Sequence, residues 1–324
     1  MTFPKPELPE LGLPTAETVT LADFGPLAPA DRHITVDVDA ADPDSANHQA
    51  LDALMDGASS LLIWVHSTAE LPAVLASIDT AIAPVHLVGD LDPAVLAKVL
   101  PANAQGLYNA DPLEQRARSG TWFTGSWSGD LDRLRQAESV LPSAMGAVVS
   151  NALWAAPQGA VAQLAWGLAS LQASQPAAGR PVGLVLQATP DYFETAAMAQ
   201  AARLLWTANP LWIVGRTEGS APSEDAADLI DRGLQAQALA LGGCRDLWIQ
   251  PLNDSPQAAR WARHQALVLY YESGLLRHDF PLRGSYLLED WTAQLADAAR
   301  AQVARWDARG GLPHLLDQNL DPWN

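Results

Sequence analysis

The chain is poor in residues that staple, anchor or supply positive charge. Its 324 residues include one cysteine, Cys244, so no intrachain disulfide can form and a reducing, cytoplasmic compartment is expected. That thiol, between Gly243 and Arg245 just before an apolar run, reads as a small buried residue. Only Lys5 and Lys98 are lysines, and 37 acidic residues face 19 Lys and Arg, for a formal net charge of -18. That field is wrong for nucleic acid or an anionic membrane surface. No apolar run approaches the ~18 residues of a bilayer span. The opening MTFPKPELPELGLP has neither the basic start nor the continuous apolar stretch of a signal peptide. G-x-S-x-G, H-E-x-x-H and paired-cysteine zinc spacings are missing, so neither a nucleophile elbow nor a metal centre is expected.

The 48% of hydrophobic residues and 17% of charged ones are enough to build a sizeable core. Residues 1–30 carry prolines at positions 4, 6, 9, 14, 26 and 29, which forbids a regular helix and predicts an extended N-terminal arm. From residue 31 to 324, short β-branched or apolar runs alternate with Ala/Leu-rich stretches at helical spacing, the pattern of parallel strands joined by crossover helices.

Seven strands are predicted, at 61–66, 85–89, 106–109, 147–151, 182–187, 211–216 and 246–250, with an eighth near 285–288. Helices are predicted between them, among them 71–81, 130–140, 160–173, 193–207, 225–241, 257–273 and 291–309. A doubly wound sheet is the rival, but G-x-G-x-x-G and G-x-x-x-x-G-K-[ST] are both missing. The expected fold class is therefore α/β, a single-domain (β/α)8 TIM-type barrel with a Pro-rich arm. Twelve tryptophans are many. Trp64, Trp212 and Trp248 fall within strands and read as core, whereas Trp122 and Trp127, in the glycine-rich TWFTGSWSGD, read as surface contacts. His66, at the end of its strand, falls on the face where barrel sites form.

The last third carries GRTEGSAP, ALGGCRDLWIQP, RWARHQALVLYYESG and FPLRGSYLLEDWTAQLADAARAQVARWDARGG in an order and spacing that resemble the methylmalonyl-CoA mutase family. The match includes Glu272-Ser273-Gly274, then Gly284-Ser285-Tyr286, Glu289 and the stop at Gly310-Gly311. Upstream, NADPLEQRARSG and GASSLLIWV are more similar to the family's small, non-catalytic (beta) subunit than to its catalytic one. The resemblance implies a barrel, isomerase ancestry, an acyl-CoA ligand and adenosylcobalamin chemistry.

Several positions depart from the pattern. The family's cobalt-ligating D-x-H-x-x-G and its cobalamin-binding domain have no counterpart in the sequence, so no cofactor is expected on this chain alone, and adenosylcobalamin only through a partner. Where the family has Arg-Thr-His, this chain has Arg216-Thr217-Glu218; a carboxylate cannot replace an imidazole that polarises a thioester. A family arginine that clamps the substrate carboxylate aligns with Pro181, and a Tyr-His pair with Asn151-Ala152. No catalytic residue is therefore expected.

Three readings stand open. The chain is a non-catalytic subunit or pseudoenzyme that partners a catalytic mutase or binds an acyl-CoA-like ligand. Alternatively, it is an active mutase component that borrows a separate cobalamin-binding chain. In the third reading the scaffold hosts an unrelated activity. The ligand-pocket candidates are His66, Arg216, Thr217, Gln250 and Glu272, with Glu218 beside them, and Glu272 is expected to face the upper mouth.

Overall fold

The computed structural model describes residues 32–151, 159–218, 225–274, 282 and 284–323. Residues 1–30, read as an arm, lie outside them, as does Ala152. Among the described residues, nine parallel strands form one sheet: β1 (His33–Asp39), β2 (Ser60–Trp64), β3 (Val85–Val88), β4 (Gly106–Asn109), β5 (Met145–Gly146), β6 (Val148–Asn151), β7 (Val182–Gln187), β8 (Leu211–Arg216) and β9 (Asp246–Trp248). The order β5-β4-β3-β2-β1-β9-β8-β7-β6 ends on two strands separated only by Ala147. β5 pairs with β4 and β6 with β7, so the nine strands fill eight positions of a nearly closed (β/α)8 TIM-type barrel.

The crossovers are α1 (Pro43–Met55), α2 (Leu71–Val74), α3 (Pro93–Val99), α4 (Pro112–Ser119), α5 (Trp127–Val140), α6 (Ala160–Ser174), α7 (Tyr192–Leu205), α8 (Ala226–Leu241) and α9 (Pro256–Leu267), followed by α10 (Tyr286–Asp307) and α11 (Leu312–Asp317). Their starts are written in the sequence. Asp42, Asp92, Asp111 and Ser255 each cap a helix through the side chain and are each followed by proline at the first helical position. Strand ends at the mouth are thereby fixed in place.

The predicted strand near 285–288 is not one: Ser285 precedes α10 as its N-cap, and Tyr286 and Leu288 lie in the helix. The eighth position is filled instead by β1, whose inward side chains are polar. The helix predicted over 71–81 is a single turn, followed by Ser77 at φ 63, which a helix cannot accommodate. Trp122 and Trp127 are also corrected. Trp122 is 7% exposed within the outer core and donates Nε1–H to Asp317 Oδ1 at 3.1 Å, and Trp127 packs against the same core, the two rings 5.6 Å apart.

Alternation along each strand sends one set of side chains outward against the helices and the other into the barrel. Leu62, Leu107, Val149, Val185, Trp212, Val214 and Trp248 fill the interior, with Trp64 and Val88 against them. Gly106 opens β4 at φ +132, where a Cβ would lie 1.9 Å from the Val85 carbonyl oxygen, so only glycine fits.

Candidate functional site

Beneath the apolar layer, towards the strands' N-terminal ends, the barrel holds a buried carboxylate. Asp246, 0% exposed, accepts from Trp212 Nε1 at 2.8 Å and, through Oδ2, from Thr35 Oγ1 at 3.0 Å and Ser60 Oγ at 3.2 Å, with His86 Nε2 at 2.5 Å. Burial pushes this carboxyl up, but His86, His33 and the Trp212 N–H outweigh it and hold it at about 2. With protein donors on both of its oxygens and no exposure, it reads as structural.

Above that layer, the strand ends present Asp37 and Asp39 from β1, Asn109 from β4, Asn151 from β6, Gln187 from β7, Arg216 from β8 and Gln250 just beyond β9. Arg216 is the organising group. Its Nη1 donates to Gln187 Oε1 at 2.8 Å and its Nη2 to Gln250 Oε1 at 3.1 Å, while its guanidinium lies 5.0 Å from the centre of the Trp248 ring. Trp248 Nε1 in turn donates to Asp37 Oδ1 at 2.9 Å. Burial lowers the Arg216 pKa, Asp37 opposes that shift and Arg232 adds to it. Arg232, itself buried, donates Nη1 to the Gln250 carbonyl at 2.8 Å, so two guanidinium groups converge on one glutamine.

Thr217 is fully buried and structural in its contacts. Its Oγ1 accepts from Gln250 N at 2.9 Å and thereby ties β8 to the segment after β9. Glu218 follows, with its N–H donated to Gln235 Oε1 at 2.7 Å. His66 sits two residues past β2 and is paired through Nε2 with Asp39 Oδ1 at 2.6 Å, their side chains 56% and 64% exposed. The hydrogen bond to His66 keeps the Asp39 carboxyl below its usual range, against a smaller effect of burial. At the β4 end, Asp111 accepts from Leu113 N, Glu114 N and Asn151 N, yet burial raises it to about 6. Burial and then the Asp111 charge raise Glu114 to about 8.

The sequence candidates Arg216, Thr217, Gln250 and Glu218 are thus brought together at one sector of the mouth, with His66 on the far side of β1. Glu272 is not among them. It ends a π-helical turn, Val268–Glu272, at the lower end of α9, and is exposed; a helix that follows its strand runs back down the barrel, so its C-terminus cannot reach the mouth. Pro181 immediately precedes Val182, the first residue of β7, on the N-terminal face. No side chain at that position clamps a ligand at the mouth; Gln187 is the β7 residue that does bear on it. Gln187, Trp248 and Asp37 were missed by sequence reasoning, although the alternation Asp246, Trp248, Gln250 was a usable signal for which residues point inward.

Among the described residues, no group of three or more His, Cys, Asp or Glu side chains could hold a metal ion, and no helix is long and apolar enough to cross a membrane. A separate feature is an apolar groove of 450 Å³ between α8 and α9, where Ile230, Leu234, Trp261 and Val268 are exposed.

Comparison with known proteins bears on the C-terminal part. The family model described as methylmalonyl-CoA mutase matches residues 220–321. Methylmalonyl-CoA mutase of Cereibacter sphaeroides is 33% identical over 141 residues, 38% of this chain and 20% of that protein. The enzymes of Escherichia coli and Rhizobium meliloti are 30% and 28% identical over 149 residues, in each case 40% of this chain and 21% of the relative. The matched stretch therefore spans about a fifth of the length of these relatives. Among solved structures, dihydropteroate synthase of Thermus thermophilus aligns at a TM-score of 0.44 and 14% identity, over 74% of this chain and 94% of that one.

Proposed function

We propose that this chain, whose residues 220–321 match the methylmalonyl-CoA mutase family model, is a mutase-like barrel that does not itself catalyse, a subunit-type or pseudoenzyme barrel serving a catalytic mutase or holding an acyl-CoA-like ligand. The observation that carries the reading is Glu218. The residue after Arg216-Thr217 hangs at the end of β8 beside a well-built mouth, and it is a carboxylate, which would repel negative charge developing on a thioester oxygen. A barrel keeps its packing when such a group is lost, because fold and site are separately encoded.

Adenosylcobalamin comes to such a barrel through a partner chain. The exposed apolar groove between α8 and α9 supports the partner half of the reading, since a contiguous apolar face of that kind suits a second barrel of the same family.

The test is an assay of the chain for conversion of methylmalonyl-CoA to succinyl-CoA, with and without adenosylcobalamin, alongside a visible-absorbance titration with that cofactor. Neither turnover nor saturable binding is expected, and Glu218→His alone should restore nothing, because groups that act as a unit are strongly non-additive. Turnover by the isolated chain would overturn the reading. Turnover only with an added cobalamin-binding protein would favour a split active enzyme.

A further inference from the structure

The outer face of α8 and α9 leaves large apolar side chains in water. Ile230 and Leu234, one turn apart on α8, are 65% and 50% exposed, and Trp261 on α9 and Val268 at its end, two turns on, are 45% and 46% exposed. The barrel does not need them: α8 buries Ala236, Leu239 and Ala240 instead, and α9 buries Ala258, Ala262 and Ala266. An apolar face left uncovered in this way on a strongly charged chain marks a contact surface.

Both helices follow their strands down the barrel, so they run side by side in the same direction. Between them lies the 450 Å³ groove. Gly233 leaves its floor open, since a Cβ there would meet only the Gln265 side chain, at 3.4 Å from Nε2. That Nε2 donates to the Leu229 carbonyl at 2.6 Å and spaces the two helices, and Gln237 Oε1 is held by the Tyr192 hydroxyl at 2.9 Å. The floor is therefore set before anything binds, with apolar side chains of α8 on one wall and of α9 on the other.

The two walls are flanked by opposite charges. Asp231, exposed, lies beside Ile230 and three residues before Leu234, on neighbouring positions of the helix surface. On α9, exposed Arg260 precedes Trp261 and donates Nε–H to Nε2 of His264, which lines the groove, at 3.4 Å. We propose that this groove receives an amphipathic helix of a partner protein, with its apolar stripe bordered by Lys or Arg on the side that meets Asp231 and by an acidic residue towards Arg260. The inference rests on the partner half of the function proposed above and names the contact, but needs no acyl-CoA, cofactor or open mouth. A second copy of this chain is the poorer fit, because its net charge of -18 repels its like and draws a partner carrying basic residues.

The probe is a synthetic amphipathic helix about five turns long, with Leu at i, i+3, i+4 and i+7, Lys along one border and Glu along the other. Fluorescence anisotropy of the labelled peptide against the full chain should show saturable binding, at least tenfold tighter than for a scrambled peptide and tighter than for one with Glu on both borders. Leu234→Glu and Gly233→Leu, one placing a charge on the wall and the other filling the floor, should each weaken it at least tenfold with unchanged circular dichroism. Asp231→Lys should weaken it severalfold. Failure of the peptide to bind, equal binding of the scrambled peptide, or undiminished binding in both Leu234→Glu and Gly233→Leu would overturn the proposal. So would a dimer in analytical ultracentrifugation that Leu234→Glu dissolves, since the groove then belongs to a second copy. None of these results bears on the turnover assay above, and turnover there would overturn the proposed function while leaving the groove to be decided by the peptide.

Discussion

Asp246 is the position where a one-atom change should be felt most. Asp246→Asn keeps the shape and one carbonyl oxygen, which can still take the Trp212 Nε1 hydrogen bond. The new NH2 then stands where Oδ2 met Thr35, Ser60 and His86. The two hydroxyls can rotate to accept, but the imidazole loses its anion inside the barrel. Leaving a buried polar group unsatisfied costs about 1–3 kcal/mol, and with the contacts to Thr35, Ser60 and His86 disturbed together the expected loss is near the upper figure, about 3 kcal/mol. Equilibrium urea unfolding of parent and variant at pH 7 measures it. The pH dependence is a second check. Because the folded carboxyl titrates at about 2, below its usual 3.8, its contribution is complete above pH 4 and is lost as pH falls towards 2. The gap between parent and variant should close over that window. A gap under about 1 kcal/mol at pH 7 would refute the view that this network holds the lower barrel together.

Glu114, raised to about 8 by burial and Asp111, behaves with the opposite sign: its folded form keeps the proton that the unfolded chain releases, so stability falls as pH rises from about 4.5 to 8. Glu114→Gln should match the parent at pH 5 and exceed it at pH 9 by on the order of 1–3 kcal/mol in thermal or urea unfolding; identical pH profiles would contradict the assignment. Trp122→Ala should cost about 3–5 kcal/mol in urea unfolding, as expected of a buried aromatic and unlike a surface contact, for which the change would stay within about 0.5 kcal/mol.

Much of the barrel was legible because its strands are buried on both faces and read as apolar runs bounded by turns, as in Leu61–Ile63 and Val182–Leu186. β1 escaped for a physical reason. Its inward positions His33, Thr35, Asp37 and Asp39 face a polar network and the mouth, so HITVDVD carries no continuous apolar signal. The tail at 285–288 was misread because Ser285-Tyr286-Leu287-Leu288 suits a strand as well as a capped helix start, and only packing decides between them. At the site, Arg216 and Gln250 could be read as strand-end residues, but their union through Gln187 could not, since the three lie on separate strands. Likewise His86 and Asp246 are separated by 160 residues, and neither carries a local mark of the other.

The interruption at Ala147 has a mechanical meaning. Helix-facing packing has two large clusters, one spanning residues 38–147 and another spanning 113–316, with two smaller ones beside them, so the wall is mainly two half-shells. Their rims meet on one side where the chain passes from β5, paired with β4, to β6, paired with β7, and on the other along the short ladder His33↔Asp246 with Ile34↔Leu247. Across the second rim Asp246 of one half-shell is gripped by Thr35, Ser60 and His86 of the other, so the buried carboxylate acts as a rivet. The first rim has a fastening of its own: Asp111, just past β4, accepts from Asn151 N of β6 at 2.9 Å, so the hoop is pinned on both sides by a buried carboxylate.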